Sequence, residues 1–87
     1  MENQTTNEIS FKNAKCAFTF NTVTKEIGGD DLTDTNNLPR CYNRNTRSFK
    51  KALQSVSAVF NDNMNMYNVM DIIENAGVSM RSYCAMD

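Results

Sequence analysis

The side chains that could do chemistry in this chain are few, and the most useful of them is missing. Histidine does not occur among the 87 residues. That removes the commonest general base near neutral pH and the usual partner of a nucleophilic serine or cysteine. The three cysteines, Cys16, Cys41 and Cys84, are far apart, odd in number and without a CxxC, a spacing that lacks the paired ligands of a zinc site. Cys41 lies between Arg40 and Arg44, so it alone has neighbours that could draw a thiol toward thiolate. With no base beside it, an ordinary half-exposed thiol is the expectation. Asp30 and Asp31 follow Gly28 and Gly29, where carboxylates serve turn chemistry. The segment DDLTDTNN at residues 30–37 is oxygen-rich like a calcium loop, but it lacks the sixth-position glycine and twelfth-position glutamate of an EF-hand. Two glycines alone do not make a phosphate loop. The expectation is no catalytic site, no metal site and no cofactor: a non-enzyme.

What remains is the block at residues 40–51, RCYNRNTRSFKK, which holds five basic residues and no acidic one. Arg40, Arg44, Arg47, Lys50 and Lys51 are interleaved there with Tyr42, Asn43, Asn45, Thr46 and Ser48. Arginine and tyrosine are enriched where binding energy concentrates at protein interfaces. The same mixture also suits phosphate contacts, with Tyr42 available to stack on a base. A solvated charged face is the plain alternative. Arg40, Tyr42, Arg44, Arg47, Lys50 and Lys51 are therefore the expected partner-binding residues. Met64 and Met86 are expected as exposed contacts, whereas Met66 and Met70 have the spacing of a helix core.

The elements that must position this block follow from periodicity. Phe49, Leu53, Val56 and Phe60 recur at i, i+4, i+7 and i+11, with Ala52 and Val59 widening the stripe, which predicts an amphipathic helix. A start at Asn45 or Thr46 is favoured over one at Pro39, because Asn43, Asn45 and Thr46 are weak helix formers. Cations then crowd the positive end of the helix, where unpaired N–H groups would make an anion receptor. A second helix is expected from about Asn65 to Ala76, with Met66, Val69, Met70 and Ile73 on one face and Gly77 as its C′ residue. Ala14, Cys16, Phe18 and Phe20 share one parity, which is strand alternation. The β-prone composition continues to Ile27, and Ile9 and Phe11 supply a first strand of a hairpin. Gly28 to Asp31 reads as a turn followed by a polar loop. Val78, Met80, Cys84 and Met86 alternate as a closing strand. Residues 1–8 are expected to fray. The fold class is α+β, a small antiparallel sheet (N-terminal strand or hairpin plus C-terminal strand) packed against an αα-hairpin.

Length and charge set the remaining bounds. A chain of 87 residues reads as one domain, 1–87, with little room for a deep cleft. Its net charge of −1 conceals segregation, with acids at Glu26, Asp30, Asp31 and Asp34 just before the basic block. Acids folded back beside that block would blunt attraction to a phosphate backbone, which favours a protein partner. No apolar run reaches the ~20 residues that cross a bilayer, the polar N-terminus has no apolar signal core, and three unpaired cysteines suit a reducing compartment. The expectation is a cytoplasmic, non-catalytic protein that binds another macromolecule. A phage or mobile-element accessory protein inhibiting a host defence or transcription complex by protein–protein contact fits that description. The alternatives are a nucleic-acid-binding module using residues 40–51 and a self-assembling structural subunit, a homo-oligomer joined through its acidic and basic patches.

Overall fold

Cys16, Phe18 and Phe20 are fully buried while the residues between them are not, and the strand they form is the middle of the molecule's sheet. The computed structural model describes residues 7–33, 36–37 and 41–80. Strand β1 (Glu8–Lys12) pairs antiparallel with β2 (Cys16–Asn21), which pairs antiparallel with β3 (Glu26–Asp31). Two short strands, β4 (Asn36–Asn37) and β5 (Cys41–Tyr42), both lie against β3, at its C-terminal and N-terminal ends respectively. Helices α1 (Thr46–Val59) and α2 (Met66–Asn75) follow. The molecule is thus an antiparallel sheet with two helices in contact, and the α+β class with its helical hairpin is as expected.

The core lies between the layers. Phe18, Phe20 and Ile27 from the sheet meet Phe49, Ala52 and Val56 of α1 and Val69 and Ile73 of α2. Phe20 is edge-on to Phe49 at 5.8 Å, and Phe11 bridges Phe20 and Phe60 at 5.7 and 5.6 Å; such pairs add ~0.5–1.5 kcal/mol beyond their area. Leu53 and Phe60 are half-buried at the margin of this cluster. Val59, expected on the apolar stripe, is 50 % exposed, because α1 ends there and Phe60 closes it as the C-cap.

Helix α1 begins at Thr46 with Asn45 as its N-cap. Helix α2 opens on a capping box between Asn65 and Asn68 and ends on Gly77 at φ +102°. There the amide of Gly77 donates to Glu74 and that of Val78 to Ile73, a Schellman closure with Val78 packed into the same core as Ile73.

Two expectations are corrected, and a third is met in its burial pattern alone. Gly28 and Gly29 do not turn the chain: they lie within β3, opposite Thr19 and Phe18. The reversal comes earlier, at residues 22–25, where strand had been expected. Asn21 Oδ1 accepts from the amides of Val23 and Thr24, and Lys25 takes φ 61° to complete the turn. Glycine permits a turn without requiring one, and an asparagine with the right follow-on made it first. Met64 is buried, not an exposed contact, because its carbonyl accepts from Asn13 and Cys16 and draws the linker inward; Met86 lies outside the described residues. Finally, Val78 and Met80 are buried and Ser79 is exposed, as a strand would require, but residues 78–80 join no ladder. The rest of the expected closing strand lies outside the described residues.

Candidate basic interaction surface

Strand β5 determines where the basic block sits. Cys41 pairs with Ile27 and Tyr42 with Glu26, and the amide of Asn43 donates to the carbonyl of Lys25. Cys41 points inward and is 1 % exposed; Tyr42 alternates outward and is 51 % exposed, as strand geometry dictates. From there the chain passes Asn43, whose Oδ1 accepts from the amide of Asn45, and enters α1. Arg44, Arg47, Lys50 and Lys51 are all exposed. Arg47, Lys50 and Lys51 stand at i, i+3 and i+4 and so share one helical face, away from Phe49, Ala52 and Val56. The structure therefore brings Tyr42, Arg44, Arg47, Lys50 and Lys51 to one end of α1. Arg40 lies outside the described residues.

The helix N-terminus is less open to an anion than its sequence suggested. Asn45 Oδ1 accepts from the amides of both Arg47 and Ser48, so the cap occupies donors that an anion would need. What remains is side-chain charge, with no acid in the first turn to offset it.

The acids are distributed differently from the expectation that they fold back together. Glu26 faces Tyr42 in the β3–β5 register, while Asp30 and Asp31 pair with Asn37 and Asn36 at the other end of β3. At ~3.3 Å per residue they lie about 13–17 Å along the strand from Glu26, beyond a Debye length of ~8 Å. Asp34 lies outside the described residues.

Two neighbours of this surface were not legible as such. Lys25 sits in the turn with its Nζ 5.2 Å from the centroid of the Phe49 ring, donating to the carbonyl of Thr22. It adds a cation beside the start of α1. Asn43 is half-buried, and its Nδ2 is enclosed with no acceptor among the described residues, which costs ~1–3 kcal/mol in the middle of the basic block.

Cys41 is not the half-exposed thiol expected from its neighbours. Its Sγ is enclosed against the carbonyl of Ser79, to which it donates. Cys16 is fully buried under the linker between the helices, and burial, helped by the charge of Asp31, pushes its thiol pKa upward. Neither Cys16 nor Cys41 is in a disulfide; Cys84 lies outside the described residues. No group of three metal-ligating side chains occurs among the described residues, and none of their helices is long and apolar enough to cross a membrane. Comparison with protein families, with curated proteins and with solved structures finds no match for the chain.

Proposed function

We propose that this chain is a non-catalytic binding protein that engages a protein partner through Arg40, Tyr42, Arg44, Arg47, Lys50 and Lys51. The observation that carries the reading is the outward-facing Tyr42, set directly across the ladder from Glu26 and followed at once by exposed cations. An aromatic anchor with both signs of charge around it suits a partner whose own surface is mixed, since complementary charge fixes orientation as well as attraction. The setting proposed with it is a cytoplasmic accessory protein, of phage or mobile-element type, that inhibits a larger host complex by occupying one of its contact surfaces.

One observation favours nucleic acid as the second reading. Asp30 and Asp31 stand at the far end of β3 from Tyr42, so they do little to cancel the field of Arg44, Arg47, Lys50 and Lys51.

Capture from host lysate, with and without nuclease, separates the two. A protein partner retained in stoichiometric amount after nuclease, and lost by the Arg44→Glu, Arg47→Glu double variant, is the expected outcome. Binding of the purified chain to DNA or RNA at micromolar levels in physiological salt, with a steep salt slope, would replace the first reading by the second. Unchanged capture by the double variant would reduce the block to a solvated face.

A further inference from the structure

Strand β1 is an edge: among the described residues nothing pairs with its outer side. Which of its backbone groups face outward follows from the two ends of its ladder with β2. The carbonyl of Asn7 accepts from the amide of Thr22, and the amide of Asn13 donates to the carbonyl of Cys16. In an antiparallel ladder the residues bonded to one neighbour alternate with those bonded to the other. Asn7, Ile9, Phe11 and Asn13 therefore turn their N–H and C=O groups to β2, and Glu8, Ser10 and Lys12 turn theirs to the open side. An open edge of this kind is a template for another strand.

We propose that β1 is the seam of a symmetric dimer, pairing antiparallel with β1 of a second copy about a two-fold axis at Ser10. The sequence Glu8-Ile9-Ser10-Phe11-Lys12 is complementary to itself when reversed. Ser10 meets Ser10 of the second copy, and each Glu8 meets a Lys12. These are the residues whose backbone groups are free to exchange both bonds, so register and hydrogen-bond parity agree. Opposite charges across such a pair are favourable. On the other face, Ile9 meets Phe11 of the second copy. Ile9 lies opposite Phe20 in the β1–β2 register, on the core side of the sheet, yet is 41 % exposed. The pairing covers it and joins the two cores through Phe11 and Phe60, whose rings already touch. A seam of one short strand is smaller than the ~1,000 Å² that marks a stable specific interface, so the dimer is a weak one, forming in the micromolar range.

Charge swapping tests both the seam and its register. Lys12→Glu leaves two carboxylates opposite each other, and Glu8→Lys leaves two ammonium groups. Each variant alone should dimerise at least about tenfold more weakly than the parent, by sedimentation equilibrium over a range of concentrations. Mixed together, the two should form a heterodimer, because every Glu then faces a Lys. Ser10→Pro removes the outward amide at the axis without touching the ladder to β2, and should be monomeric with the parent's circular dichroism. A parent that sediments as the 9.9 kDa monomer at several hundred micromolar (about a hundredfold above a typical micromolar Kd) would overturn the proposal. So would a dimer indifferent to Ser10→Pro, or single charge variants that fail to complement each other.

Discussion

The side chain of Asn13 holds four hydrogen bonds at once. Its Oδ1 accepts from the amides of Lys15 and Cys16, closing the β1–β2 turn, while its Nδ2 donates to the carbonyls of Asn61 and Met64 in the linker between the helices. One side chain thus ties the sheet layer to the helix layer, and among the described residues it is the polar one that is buried in the core. Asn13→Ala should cost about 2–4 kcal/mol, since it strands buried partners as well as removing bonds. Asn13→Asp should cost at least as much, because the carboxylate keeps the acceptor but loses both donors; urea denaturation of the two variants checks this. At Gly77 an added Cβ would stand 3.2 Å from Ser48 Oγ at a φ of +102°, so Gly77→Ala should lose about 1–2 kcal/mol. Cys16 makes a prediction about pH. Its thiol pKa is raised in the folded protein by burial and then by Asp31, so the fold holds a proton that the unfolded chain gives up. That stability is whole below about pH 8.5, the ordinary thiol range, and drains away as pH climbs through the raised value. Cys16→Ala should show a shallower alkaline fall in melting temperature than the parent.

Helix α1 presents cations at its positive end, with Arg47 in the first turn and no acid beside it. The dipole makes that arrangement unfavourable by roughly 0.3–1 kcal/mol per charge. Arg47→Glu should therefore raise the melting temperature slightly while it weakens partner binding, a pairing of effects that a merely structural residue would not give. The two helices were legible from their apolar spacing and caps, as was the β1–β2 hairpin from the parity of Cys16, Phe18 and Phe20. The β2–β3 reversal was not, because Gly28-Gly29 and the Asn21-led turn compete locally, and only strand register chooses between them. Asn13 was illegible for another reason: its decisive partners are 48 and 51 residues away. The burial of Cys41 depended likewise on Ser79, a contact that no local pattern announces. Of the surface site, composition located the block, but it did not reveal that Lys25 reaches it from a separate turn or that Asn45 consumes the helix amides.

For the whole molecule, one core joins three elements, so the cost of a truncation should track burial and not helical periodicity alone. Ile73 is fully buried and Val59 is half exposed. Ile73→Ala should cost about 2–5 kcal/mol, a large part of the ~4–13 kcal/mol available to a domain of this length. Val59→Ala should change stability by less than about 0.5 kcal/mol. Equal melting points for the two variants would mean that the layers are packed otherwise. The Asn13 bridge also bears on how the chain reaches this state. The hairpin that Asn13 begins can close early, since β1 and β2 are neighbours in sequence, whereas its bonds to Asn61 and Met64 must wait until the helical pair has docked. Its Nδ2 then acts as a latch set last. Removing it should leave the folding arm of a chevron almost unchanged and lift the unfolding arm, so that the protein assembles at its old speed and comes apart faster.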